Sequence, residues 1–465
     1  MTALVLALLI PWVVGVVLLL VDGRRPVVAW VAVGAMVANL GALVALALEV
    51  LPGGAVEIVT GNWVDGVGIV LRADPLGVAF ALLSSLVVLA ALIQEAVGGV
   101  RSRTFPALVV LLATGLTGLF LTGDIFNFYV FFELAMVSAY VLTAYGGDRQ
   151  LGAALIFAVV NFVGSVLFLI AVAATYHVTG TLEMADVATR MADVEPNAAI
   201  LIAVTFFVAF GTKLGLFPFH FWLPGVYART RPAVAAILSG ALANIGAYGL
   251  LRFGAGLLPK ELLLGSTVLI VIGGISVIYG ALLAVSRRNP AEMLAYSSIG
   301  QAGYVLLAIG VGGPVGLAAA VLYAILNALS KALLFLSGGL RGALVAGAFA
   351  VGALSLAGMP PAAGFLGKLA LFQTAVEEGS VALVVLLFAG GALAFVYAFQ
   401  LYQHEFWRGR PAAVAEAGGA RAPSPVAARA VSVALALLLL GLGIWPEPLL
   451  SLSADAAAAL SGGAP

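Results

Sequence analysis

The chain has 465 residues, 63% of them hydrophobic and 9% charged, with no formal net charge and no cysteine. A water-soluble domain carries roughly a quarter charged residues, so too little polar surface exists here to cover a soluble globule. The lack of cysteine excludes disulfides, Cys-ligated zinc and Cys-ligated iron–sulfur clusters, and the balanced charge offers nothing that points to nucleic acid.

In chain order, about fourteen apolar segments reach the length of roughly 20 residues that a membrane span requires. They run approximately over 3–21, 27–49, 75–97, 104–122, 125–145, 152–178, 197–217, 231–253, 264–286, 291–311, 314–340, 345–376, 380–403 and 428–449. The first starts at Thr2 without a basic stretch before it and is followed by Arg24 and Arg25, the reverse of a secretory signal. It reads as a first span whose N-terminus is outside. Alternation from there places Arg24, Arg25, Arg101, Arg103, Arg149, Arg229, Arg231, Arg287, Arg288, Arg341, Arg408, Arg410, Arg421 and Arg429 inside. Only Arg72, Arg190, Arg252 and Lys260 face outward, and three lysines fall within spans. This split follows the positive-inside rule, puts both termini outside and makes 179–196 an acidic external loop.

Two spans are interrupted. Pro218 and Pro224 break the seventh, and Pro360–Pro361, between Gly358 and Gly364, break the twelfth. In lipid such a break persists only where protein or a wet cavity satisfies the freed backbone. The breaks lie five spans apart, so the two elements cross in opposite directions, and each carries a nearby lysine. The expected fold is all-α, with two inverted five-helix repeats, as in many transporters. The chain then divides into a three-helix segment (1–100), repeats over 101–255 and 256–410, and a linker with the last span (411–465).

A charge at the bilayer centre costs about 2.5–3.5 kcal/mol on insertion scales, so ionisable residues inside spans mark paired or hydrated sites. Glu133 is nine residues into its span, roughly 13 Å deep. Lys213 stands beside the first break, Lys368 follows the second, and Lys331 is mid-span between them. A lysine whose carboxylate partner comes and goes loads and releases a proton; the alternative for Lys213 is a side chain snorkelling to an interface. His220, next to the first break, is either a proton shuttle or a hydrogen-bonded anchor. His177 and His404 sit at span ends, and three separated histidines argue against a histidine metal or haem site. Asp74 and Asp124 open spans on the outer side, where capping is the default role. Gly211–Thr212–Lys213 lacks the context of a phosphate loop.

Several stretches together resemble the antiporter-like subunits shared by Mrp-type cation/proton antiporters and respiratory complex I. Residues 61–76 (GNWVDGVGIVLRADPL) and 122–133 (TGDIFNFYVFFE) look like the D-type subunit of Mrp antiporters. Residues 210–225 (FGTKLGLFPFHFWLPG), 294–304 (LAYSSIGQAGY), 327–340 (NALSKALLFLSGGL) and 358–368 (GMPPAAGFLGK) resemble the wider group. The resemblance implies a polar axis along the midplane, with Glu133 pairing Lys213, then Lys331 and Lys368. Asn244 stands where the group usually has a lysine, and Ala328 replaces a common polar residue, leaving Ser239, Asn244 and water to bridge the centre.

The expected function is proton translocation in a multi-subunit antiporter that exchanges protons for Na⁺ or a similar cation, without a cofactor. Its partners would be subunits of the A, B, C, E, F and G types in a bacterial cell membrane. Two alternatives stay open: a proton-pumping subunit of a redox complex, and a scaffold that only holds its partners.

Overall fold

The computed structural model describes residues 2–62, 68–145, 148–407 and 426–460. Arg408, Arg410, Arg421 and the side chain of Arg149, which entered the charge count, lie outside the described residues, as do 63–67 of the first motif. The first six spans are α1 (Thr2–Leu19), α2 (Pro26–Gly53), α3 (Pro75–Gly98), α4 (Phe105–Phe120), α5 (Ile125–Ala144) and α6 (Asp148–Thr179). The seventh, α7, has two parts, Pro196–Leu214 and Leu223–Tyr227. Then come α8 (Pro232–Leu257), α9 (Pro259–Ser286), α10 (Pro290–Val311) and α11 (Gly313–Ser337). Next is α12, split into Ala343–Ala357 and Gly364–Glu377, followed by α13 (Val381–Tyr402) and α14 (Val426–Ile444).

Twelve of these are long and apolar enough to cross a membrane. The 16-residue α4 and the halves of α12, 15 and 14 residues, are shorter. Counting α4 and the joined halves, fourteen spans stand, and the chain is a multi-pass membrane protein. Both breaks fall where the prolines put them.

The helices begin where the sequence supplies starters. Proline sits in the first turn of α2, α3, α8, α9 and α10, where its missing N–H costs nothing. Asp74 Oδ1 accepts the Gly77 N–H at 2.9 Å and Asp124 Oδ1 the Asn127 N–H at 2.6 Å, so both carboxylates do cap α3 and α5. Helices α3, α8, α10 and α11 are almost wholly enclosed, whereas α1, α13 and α14 present most of their surface outward. Helices α9 and α10 meet closely through small residues, where a Cβ on Gly280 would stand 2.4 Å from the Gly300 backbone nitrogen.

Four features differ from the sequence reading. An antiparallel pair, β1 (Val56–Val59) and β2 (Val70–Ala73), interrupts the all-α pattern outside the spans. The acidic loop holds a short helix, Met184–Arg190, with an Asp186–Arg190 ion pair. A 12-residue helix, Glu447–Ala458, follows α14 and packs on α11 and α3. Finally, α8 widens to π-helical turns at 238–242 and 250–257, flanking Asn244.

Arg252, near the end of α8, is buried. It donates to Asp74 Oδ1 at 2.7 Å and to the Tyr248 hydroxyl at 3.1 Å, while that hydroxyl donates to Phe120 O at 3.2 Å. One cluster thereby ties together the start of α3 and the ends of α4 and α8. Burial by itself would raise the Asp74 pKa, but the Arg252 guanidinium and the Gly77 N–H outweigh it and hold the carboxyl below its ordinary value. The contribution to stability is therefore full above the ordinary carboxylate pKa and is lost as pH falls through the folded value. Asp74→Asn should destabilise the protein by about 3–5 kcal/mol in thermal unfolding at neutral pH. The double replacement Asp74→Leu with Arg252→Met should recover most of it. Equal losses in the single and double variants would show that the charges are not coupled.

Candidate functional site

The two breaks share one construction. The first half of α7 ends at Gly215 (φ 73°, ψ 36°) and the first half of α12 at Gly358 (φ 76°, ψ 45°). Both are left-handed positions that glycine takes without steric cost. A proline in a cis peptide follows each: Phe217–Pro218 and Pro360–Pro361. The freed backbone groups then find side chains, by different means in the two halves.

In α7 the Thr212 carbonyl accepts the Trp222 indole N–H at 3.1 Å, and Phe217 N–H donates to Ser276 Oγ on α9 at 3.2 Å. Lys213 is left free of the break. Its ammonium turns to α6, donating to Asn161 O at 2.7 Å and Ser165 Oγ at 3.3 Å, and lies 4.5 Å from the centre of the Phe132 ring. In α12 the lysine itself is the cap: Lys368 Nζ donates to Ala357 O, the end of the first half-helix, at 2.7 Å. A cation belongs there, at the negative end of a helix. Gly364 N–H, opening the second half, donates to Ser355 Oγ at 3.1 Å, and Ala363 N–H reaches Leu439 O on α14 at 3.1 Å.

Lys331 is fully buried on α11 and donates to Leu294 O at 2.8 Å and closely to Ser297 Oγ, both on α10. All three lysines thus rest on neutral oxygens. The expected Glu133–Lys213 ion pair is not formed: no described carboxylate lies within 4.0 Å of Lys213. Glu133 is partly buried and stands within electrostatic range of Lys213, Tyr129 and Tyr140, with Oε1 lacking a hydrogen-bond partner. The physical reason is that two α6 oxygens already satisfy the amine, and the Phe132 ring lies against it.

His220 contacts α9, in the second repeat. Its Nε2 is 3.1 Å from the Tyr279 hydroxyl on α9, and its ring packs against Phe217 and Tyr279. Ser239 donates to Ala235 O at 2.7 Å and Asn244 to Gly240 O at 2.9 Å, each on its own helix, so neither forms a hydrogen bond to a lysine. The expected central bridge is not built from direct contacts.

Sequence reasoning passed over the residues that hold the lysines: Asn161, Ser165, Ser297 and Ser355. It also passed over a buried cluster in which Gln301 donates to the Tyr397 hydroxyl at 2.6 Å and accepts from Tyr323. One signal was present. Asn161 and Ser165 are polar residues four apart in an apolar helix, and such spacing places them on one face.

Similarity to known proteins points the same way as this geometry. The sequence matches the family described as "NADH:quinone oxidoreductase/Mrp antiporter, TM" over residues 122–342 and 340–394. The chain belongs to this family. The D-type subunit of the Na(+)/H(+) antiporter of Alkalihalophilus pseudofirmus is 33% identical, with 87% of this chain and 86% of that protein covered. The N-type subunit of the NADH-quinone oxidoreductase of Desulforudis audaxviator is 32% identical, covering 81% of this chain and 83% of that protein. Among solved structures, a chain of the Mrp complex from Dietzia sp. superposes with a TM-score of 0.89 at 28% identity, over 99% of this chain and 98% of that one. Both branches of the family are thus represented among its relatives.

The two breaks make a testable contrast. Lys368→Met leaves the buried Ala357 carbonyl without a donor, a loss of about 1–3 kcal/mol. Lys213→Met leaves no such orphan, because Asn161 O still accepts from Ser165 at 3.1 Å. Thermal unfolding should therefore show Lys368→Met as the less stable of the two. Equal melting behaviour would contradict the capping role.

Proposed function

We propose that this chain is the proton-translocating subunit of a multi-subunit antiporter that exchanges protons for Na⁺ or a similar monovalent cation across the cell membrane. It would lie with both termini outside and assemble with the other antiporter subunits. The observation that carries the reading is the pairing of Lys213, its ammonium resting on neutral α6 oxygens beside the α7 break, with a nearby Glu133 that has an unsatisfied oxygen. The antiporter relative supplies the exchanged species.

The mechanism follows from partner exchange. With Glu133 engaged, the Lys213 ammonium is held by an opposite charge; resting on the neutral α6 oxygens alone, it is free to pass its proton on. Lys331 and Lys368, held in the second repeat, continue the route along the midplane, with His220 at the junction and Ser239 and Asn244 on the intervening α8. The membrane potential drives it with about 2.3 kcal/mol per charge per 100 mV. The oxidoreductase relative keeps a second reading in view, the same proton chemistry driven by a redox complex; copurification with flavin or iron–sulfur proteins would select it.

Replacing Lys213 or Glu133 with Ala in the assembled complex should abolish sodium-dependent pH changes in everted membrane vesicles. Normal exchange in a normally assembled variant would reject the assignment.

A further inference from the structure

Two small cavities occupy corresponding places in the two repeats. The first, of about 10 Å³, is lined by Met136, Asn161, Lys213, Trp222, Tyr227 and the α8 turn at Leu238–Ala243. The second, also about 10 Å³, is lined by Gln301, Tyr323, Asn327, Ser330, Ser355 and Gly364. Each is about the room that one water molecule requires. Each also has one asparagine in its wall whose side-chain oxygen is buried without a hydrogen-bond partner: Asn161 Oδ1 in the first, Asn327 Oδ1 in the second. The two asparagines occupy related helices, α6 and α11, five spans apart. Each is four residues before the polar group at the lysine site, Ser165 in one helix and Lys331 in the other.

A buried amide oxygen left unpaired costs about 1–3 kcal/mol, so one such atom in each repeat calls for a ligand. We propose that Asn161 and Asn327 are paired water-anchoring residues, each holding one water that hydrates the lysine route of its repeat. The inference rests on the proton-transfer reading above. In the first cavity the ammonium of Lys213 has given two of its three N–H groups to Asn161 O and Ser165 Oγ. A water that donates to Asn161 Oδ1 accepts the third. In the second, Ser330 neighbours Lys331 in the chain and its hydroxyl lies 2.7 Å from that of Ser355. Ser355 and Gly364 flank the break that Lys368 caps, so a water on Asn327 Oδ1 stands among groups that border both lysines. In transfer, the ammonium N–H bond breaks as a new O–H bond forms on the water, and the water gives up a different proton to the next oxygen. No electrons change hands. The asparagines act by positioning and exchange no proton themselves.

The test uses the complete complex. Asn161→Leu and Asn327→Leu keep the side-chain bulk and remove the oxygen; Asn161→Ser and Asn327→Ser restore an oxygen. Each Leu variant should slow sodium-dependent proton movement in everted vesicles by at least about tenfold, and each Ser variant should regain most of it. A high-resolution cryo-electron map of the wild-type complex should show an ordered water within hydrogen-bond reach of each Oδ1. Wild-type exchange in assembled Leu variants, or a map with both oxygens bonded only to protein, overturns the proposal. If the Leu variants do not assemble, the map decides alone. Should Lys213→Ala exchange normally, the functional reading falls, whereas normal exchange in Asn161→Leu with a dead Lys213→Ala removes only this inference.

Discussion

An ammonium group inside a hydrocarbon layer must be surrounded by oxygen, and the architecture of this chain follows from that need. The described side chains supply no ionised partner within reach of Lys213, Lys331 or Lys368. Neutral acceptors replace it: backbone carbonyls of α6, α10 and the end of the first half of α12, together with the hydroxyls of Ser165 and Ser297. Asn161 O and Leu294 O belong to unbroken helices and take the lysine as a second donor, whereas Ala357 O is the orphan carbonyl of a broken end. The break at Gly358 is thus part of the charge chemistry as well as of the fold.

The two repeats use the same device differently. In α7 a neutral indole caps the broken end, so the lysine can leave its partners without uncapping the helix. In α12 the lysine is the cap, and its movement is bound to the geometry of the break. On the proposed reading, proton exchange belongs to the first half, where Glu133 has an unsatisfied oxygen. The second half, with Lys331 and Lys368 tied to backbone, is suited to passing charge along without large side-chain motion. Away from the breaks, the buried Asp74–Arg252 pair holds α3, α4 and α8 together at a place where no lysine need move.

Much of this is legible in the residues alone. The fourteen spans follow from apolar run length and the distribution of arginine, and both breaks follow from proline beside glycine. Glu133 and the three lysines stand out because charge in an apolar run is costly. The identity of their partners is not legible in the same way. Charge attracts charge in a simple reading, which matches Glu133 to Lys213, yet the ammonium sits on Asn161 O, a backbone atom that carries no signature in sequence. The position of Arg252 near a span end is legible, but its burial against a carboxylate 178 residues away in the chain is not. The widening of α8 around Asn244 has the same origin: backbone hydrogen-bond shifts depend on packing against neighbours, which local residue preference does not encode.

The central claim is that Lys213 changes partners as it gains and loses a proton. High-resolution structures of the assembled complex at acid and at alkaline pH would test it directly. The account predicts that in one of them Lys213 leaves Asn161 O and Ser165 for the Glu133 carboxylate. If both structures kept Lys213 on the α6 oxygens with Glu133 apart, the exchange mechanism would be contradicted.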